Sequence, residues 1–408
     1  MKVLVAPLDW GLGHATRCAP IVQEFLDRGC EVELAVVKSN ARILREMFPN
    51  VRQRLAPSYN IVYPKHGYNM GFWLLKNSVH LKAVMHAEHR YAEEMVRRHH
   101  YDILVSDNRF AFYSKNAFSI YMTHQRRIAF PQAFRMFETV GEMWHASVMA
   151  HFDEVWVPDL PDAPGYAGSL SHIAMSPRPL KFVGALSRFM LPGSEEENDA
   201  SRNSDASRAN ELPRKGLDND ASRADELSRK CLDSDASRAN ELSQKKLEKL
   251  GVVAVISGVE PARTQFEARL RFVLAQTPGR HVMILGKPTL GQKCWKEGNI
   301  TFYSHLPSDE FAQVVRRAEW VVSRGGYSTV MDMAVLGAKC IFVPTPGQYE
   351  QVILARDLTA AGFACSVEEK LLTSETLATM MVQEVKCLPK PEGTALLRNA
   401  VDEVLRKV

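Results

Sequence analysis

The stretch that most narrows the folds open to this chain starts at an apolar run, residues 320–322. It continues Ser323-Arg-Gly-Gly-Tyr-Ser-Thr-Val-Met-Asp-Met-Ala-Val-Leu-Gly337. The apolar run reads as a buried strand. Gly325 and Gly326 give room for a tight turn and for a ligand to come close to the backbone. Ser328 or Thr329 is placed to cap the helix that follows, and Gly337 to end it. A strand, a glycine turn and a helix start point several backbone N–H groups and the positive helix end at one spot, which suits a phosphate. Asp332, expected in the first helical turn, would then reach a ribose hydroxyl pair. The competing reading is an ordinary α/β crossover in which Asp332 only offsets the helix dipole.

The N-terminus repeats the pattern. Residues 3–6 read as a buried parallel strand, and the loop that follows contains Gly11-x-Gly13-His14-x-x-Arg17. Ile21, Val22, Phe25 and Leu26 have helical spacing, Gly29 ends that helix, and residues 31–37 form the next strand. This is a βαβ unit of a doubly wound domain. The loop is no dinucleotide fingerprint, because the third glycine is missing and no acid ends the second strand. His14 falls at the carboxyl edge of the sheet, where open α/β sheets bind ligands. It is a candidate base, with Asp9 second; the alternative is that it only caps the helix. Arg17 either pairs with an anion or is a solvated helix residue. Two further strands, 102–106 and 119–123, end in Asp107-Asn-Arg109 and His124-Gln125. These lie at the same edge, so Asp107, Asn108, Arg109, His124 and Gln125 are candidates for holding a second substrate. Strands at 154–157 and 181–184 complete the sheet, and residues 184–188 lead out of it.

Between the two halves the chain changes in kind. Ala206-Ser-Arg-Ala-Asn-Glu-Leu recurs at Ala221 and Ala236 with one Asn-to-Asp change, a period of fifteen residues. The copies hold no aromatic residue and little apolar surface to offset the entropy of ordering. Residues 189–249 are therefore expected to be a disordered or transiently helical linker. A second strand–glycine–helix unit opens at 252–256 with Ser257, Gly258 and Arg263, the last able to meet phosphate charge. Strands at 281–285 and 300–303 follow, the second leading into His305 and Leu306. Residues 394–408 are amphipathic and expected to cross back onto the first domain. The expected division is 1–188, the linker 189–249, 250–390 and a C-terminal helix 391–408.

The chain of 408 residues has a net charge of +4, too mild to suggest a nucleic-acid partner. Its seven cysteines are scattered without CxxC or zinc spacing, which suggests reduced thiols in the cytoplasm. No apolar run reaches the roughly 18 residues of a membrane span. The segment 61–82 interleaves Tyr63, Lys65, Tyr68, Phe72, Trp73 and Lys76. That mixture fits either a peripheral membrane contact or an ordinary core edge.

Ser323-Arg-Gly-Gly with Ser328, Thr329, Asp332, Gly337, then Phe342-Val-Pro344 and Glu350-Gln351, resembles the donor-binding half of the GT-B glycosyltransferases. The resemblance is to family 28, which includes the lipid-linked peptidoglycan N-acetylglucosaminyltransferase. It covers both ends of the chain but not the middle. One departure is Asp332, where the family usually has the longer Glu. The resemblance implies two Rossmann-like α/β domains facing across a cleft. It implies transfer of a sugar, with inversion and no bound metal or other cofactor, from a nucleotide diphosphate to an acceptor that is lipid-linked or part of the cell envelope. It places Gly11, Gly13, Ser257, Gly258, Arg263, His305, Leu306, Arg324, Gly325, Gly326, Ser328, Thr329, Asp332 and Gln351 at the donor, with backbone near Leu306 reading uracil. The rivals are a nucleotide-sugar 2-epimerase on the same architecture and a non-catalytic sugar-nucleotide-binding protein.

Overall fold

The computed structural model describes residues 1–9, 12–59, 78–127, 136, 138–172, 176–191 and 249–408. Gly11, most of the 61–82 segment and the repeats lie outside the described residues. Among the described residues there are two sheets of seven strands each. The first runs β3-β2-β1-β4-β5-β6-β7, where β1 is Lys2–Pro7, β2 Glu31–Val36, β3 Arg52–Leu55, β4 Ile103–Asp107, β5 Phe118–Met122, β6 Glu154–Val157 and β7 Leu180–Phe182. All its pairings are parallel. A parallel sheet needs cover on both faces, and β1 is accordingly an unbroken apolar run with Val3, Leu4, Val5 and Ala6 fully buried. Helix α1, Leu12–Asp27, presents Ile21, Val22 and Phe25 to that sheet. Each such buried side chain contributes about 1.5–3 kcal/mol. Gly29, at φ +72°, lets the chain turn off the helix into β2.

The second sheet runs β10-β11-β9-β8-β12-β13-β14, with β8 Leu250–Val255, β9 His281–Ile284, β10 Cys294–Glu297, β11 Ile300–Tyr303, β12 Ala318–Ser323, β13 Cys340–Phe342 and β14 Ala364–Ser366. Only β10 is antiparallel to its neighbour. Each sheet has a point among its parallel strands where the order reverses. The first reverses between β1 and β4, whose ends Pro7 and Asp107 are in register. The second reverses between β8 and β12, where Val255 stands beside Ser323. Such switch points leave a crevice beyond the carboxyl ends of the strands.

The two sheets belong to one compact unit, Met1–Ser194 with Leu250–Val408. Asp357 on the helix Tyr349–Ala360 accepts hydrogen bonds from the Ser169 amide (2.9 Å) and hydroxyl (2.6 Å) of the first domain. The Tyr166 hydroxyl donates to the Pro389 carbonyl at 2.8 Å. The C-terminal helix Ala395–Lys407 returns to the first domain, where Asp402 pairs with Arg28 (2.5 Å), Glu403 with Lys181 (2.5 Å) and Arg398 with Glu24 (3.3 Å).

Candidate active site

A line of polar groups runs across the junction of the two domains. His14, in the first turn of α1, lies 2.9 Å by Nδ1 from Asp107 Oδ2 at the end of β4. Arg17, one turn further along the same face, reaches both Asp107 oxygens through Nε at 3.0 Å and donates again through Nη2. Its Nη1 lies 3.2 Å from His124 Nδ1, after β5. His124 Nε2 in turn is 2.9 Å from Glu350 Oε1, at the start of the helix Tyr349–Ala360 in the second domain. The His124 ring stacks on Tyr327 at 3.9 Å with the planes 2° apart.

The electrostatics follow from burial and pairing. Burial alone would push the Asp107 carboxyl up, but Arg17 and His14 overrule it and hold it at about 2. Burial, and then the positive Arg17, push the His14 imidazole below its ordinary value against the pull of Asp107. His14 is therefore neutral near pH 7. With Nδ1–H donated to Asp107, its Nε2 lone pair is free to take a proton. Its side chain is 15% exposed, enough for a substrate to reach it. Burial would also raise Glu350, but His124 and then His14 and Arg17 hold it below the usual carboxylate range.

The helix Tyr327–Leu336 begins beside this line. Its N-cap is Gly326, without a capping side chain. The expectation that Ser328 or Thr329 caps the helix is thus corrected: both lie inside the first turn, so no side chain satisfies the orphan N–H groups there. Gly337 does end the helix, at φ +67°. Gly326 has φ −70° and ψ 142°, which any residue adopts, and a side chain there would meet only Thr329 Oγ1 at 3.9 Å. Gly325 likewise has room for a methyl group. Neither glycine is held in a backbone conformation or a space that only glycine allows. Gly13 is different, because a Cβ there would lie 2.6 Å from Ser328 Oγ. The starts of α1 and of Tyr327–Leu336, one from each domain, therefore meet at this point.

The other donor candidates lie in the second domain. Asp332 sits in the second helical turn, not the first, and accepts a hydrogen bond of 2.6 Å from Ser187 on the connector between the domains. Burial raises its carboxyl against the opposing pull of the neighbouring Arg188. Burial and Arg188 also lower the half-buried His305. Leu306 is buried in the core, so only its backbone is available to a base. Ser257 follows β8, and Gly258 needs its φ of +111°. Arg263 reaches the Gly286 carbonyl (3.1 Å) and Glu260 (3.1 Å), tying together the loops after β8 and β9.

Several further placements differ from expectation. Arg324 is buried against Phe266, with its guanidinium on the carbonyls of Val343, Pro344 and Ala262 and on Glu369, so it is an internal strut. Gln351 turns its amide inward to the Thr345 N–H (2.8 Å) and Gln348 (2.5 Å), shaping the loop before its helix. Arg109 is wholly buried on Glu88 at 2.6 Å and on the Pro7 and Pro57 carbonyls. Asn108 adopts φ +56° and accepts from the Tyr121 hydroxyl at 3.0 Å. Asp9 is bound to Ser58 and to the Tyr59 amide, steadying the loop after β3. Gln125 is half-buried one residue beyond the polar line. Asp107 supports His14 instead of facing a substrate alone. Glu350 and Arg188 were not singled out from the sequence; Glu350 stood within the quoted motif, and Arg188 had no signal beyond its place at the domain exit. Among the described residues no cluster of three or more His, Cys, Asp or Glu is placed to hold a metal.

Residues 289–394 match the glycosyltransferase family 28 C-terminal domain. The chain is 37% identical over 73 residues, 17% of its own length and 20% of the relative's, to a UDP-N-acetylglucosamine–N-acetylmuramyl-(pentapeptide) pyrophosphoryl-undecaprenol N-acetylglucosamine transferase of Dichelobacter nodosus. It spans between 20% and 48% of the length of the curated relatives it matches. Its fold is like that of MurG of Acinetobacter baumannii, with a TM-score of 0.51 and 14% identity over 98% of this chain and 99% of that one. It is also like that of a candidate UDP-N-acetylglucosamine 2-epimerase from Listeria monocytogenes, with a TM-score of 0.57 and 12% identity over 100% of this chain and 97% of that one. By its fold and by the match in its second domain, the chain is a GT-B protein similar to glycosyltransferase family 28.

Proposed function

We propose that the chain transfers a sugar from a nucleoside diphosphate, UDP by analogy with its relatives' names, to a hydroxyl acceptor held by the first domain. The observation that carries this reading is the meeting of two helix starts at Gly13 and Ser328, next to the His14–Asp107 pair. Two positive helix ends in contact repel unless an anion lies between or beside them, and a diphosphate supplies that charge. His14 Nε2 takes the acceptor proton as the acceptor oxygen bonds to the anomeric carbon. The bond from that carbon to the diphosphate oxygen breaks, and the electron pair leaves with the nucleoside diphosphate. The helix ends stabilise the leaving charge. A displacement on the opposite face inverts the anomeric centre. No resident metal is needed on this reading, so turnover should survive chelation with EDTA.

Asp332 and Arg188 stand where the nucleoside would pass between the connector and the second domain. Val140, Met143 and Trp144, with Met136 ahead of them, form an exposed apolar stripe on the first-domain helix Glu138–Met149. Trp144 packs on Phe110, just beyond the Asp107 loop. The stripe supports an acceptor with an apolar anchor and a peripheral site of action on the cytoplasmic membrane face, to which 61–82 would add. Among the described residues no helix is long and apolar enough to cross a membrane. The test is a screen of nucleotide sugars with envelope lipid extract, read by mass spectrometry. Diphosphate release that requires the acceptor is the expected result. Epimerised donor without acceptor would favour the second reading, which the fold similarity alone permits.

A further inference from the structure

We propose that Glu350 is a positioning residue: it fixes the His124 ring, and through His124 the Arg17–Asp107–His14 chain, so that contacts from the second domain set the base in the first. The proposal rests on the function proposed above. It comes from the direction of the hydrogen bonds. A guanidinium donates and never accepts, so His124 Nδ1, 3.2 Å from Arg17 Nη1, must present its lone pair. The ring proton is then on Nε2, which donates to Glu350 Oε1 at 2.9 Å. The ring plane is held by Tyr327, whose hydroxyl donates to the Pro158 carbonyl. Both groups that orient His124, the Glu350 carboxylate at its edge and the Tyr327 ring on its face, come from the second domain.

The rest of the chain of contacts lies in the first domain. Arg17 has Nε and Nη2 on Asp107 and Nη1 on His124. The acceptor offered by His124 thus fixes the turn of the guanidinium about Asp107, and Asp107 Oδ2 in turn orients His14 Nδ1–H. If the second domain moves away, His124 loses its edge and its face together and is free to place its proton on Nδ1, against Arg17. The Arg17–Asp107 pair persists, because both partners are in one domain. The Glu350 side chain is 36% exposed, so it can do this without being part of the core.

The test combines Glu350→Ala, Glu350→Gln and the nitrogen NMR spectrum of histidine-labelled protein, with the His124 signals assigned through His124→Asn. The wild-type protein should show His124 protonated at Nε2 and bare at Nδ1, and Glu350→Ala should lose that signature with a melting temperature near wild type. Turnover of Glu350→Ala should fall about 10–100-fold in kcat with KM for the donor little changed, as expected for misplaced chemistry. Glu350→Gln keeps an acceptor oxygen for Nε2–H and should recover most of the rate. A wild-type His124 carrying its proton on Nδ1 would overturn the proposal. So would an effect confined to donor KM, or a glutamine variant as slow as the alanine one. The NMR arm reads the tautomer without any turnover, so an inactive wild-type protein would count against the proposed function and leave this inference to be decided by the spectrum.

Discussion

At the scale of single residues, the account turns on Asp107, which neutralises Arg17 and orients His14. Its folded carboxyl titrates at about 2, below the ordinary 3.8. A depressed carboxylate contributes stability that is present above the ordinary value and lost as pH falls through the folded one. Denaturant titrations between about pH 4 and pH 2 should therefore show stability falling, and falling less steeply in Asp107→Asn. At neutral pH that variant leaves Arg17 buried without its counter-charge and should cost about 3–5 kcal/mol. A stability within 0.5 kcal/mol of wild type, roughly the scatter of a neutral surface change, would contradict the pairing. Asp332→Ala removes a charge-assisted hydrogen bond to the proposed ribose. UDP affinity measured by calorimetry should fall by roughly one to two orders of magnitude, with unchanged affinity removing Asp332 from the donor site.

At the scale of elements, the contact between two helix starts is the feature to perturb. Gly13→Ala places a methyl group 2.6 Å from Ser328 Oγ and 3.0 Å from its Cβ, so the Ser328 hydroxyl must turn away and the two helix ends must give way slightly. UDP affinity should drop at least tenfold, and Ser328→Gly in the same chain should restore it, because it removes the obstructing side chain. Failure of the double variant to recover would show that the two ends do not meet as described. The strands and turns were legible in the sequence because a parallel strand is an apolar run and a helix end needs a glycine or a cap. The pairings were not. His14 and Asp107 are 93 positions apart, and His124 and Glu350 are 226 apart, so no spacing rule joins them. Asp107, Asn108 and Arg109 read alike as edge residues, yet the turn sends Asp107 to His14 and Arg109 inward to Glu88. Arg324 and Gln351 read as donor ligands because motif and position match, whereas the loops around them use those side chains to hold their own backbone.

At the scale of the whole molecule, two switch-point crevices are brought together by contacts from the C-terminal helix, the Asp357–Ser169 pair and Tyr166. The repeats between the domains have too little apolar surface to add to that framework. Replacing residues 200–245 by a short Gly/Ser linker should leave melting and turnover near wild type, and a fall of many degrees would contradict this. The central claim is that His14 removes the acceptor proton during sugar transfer. Its most direct test is the pH–rate profile of product formation, followed by mass spectrometry with isotope-labelled donor, for the wild-type protein and for His14→Ala. The account predicts a wild-type acidic limb below the ordinary imidazole value of 6.5, because burial and Arg17 depress His14, and the loss of that limb with a 10²–10⁴-fold slower rate in the variant. A His14→Ala protein that forms product at the wild-type rate with the same acidic limb would contradict it.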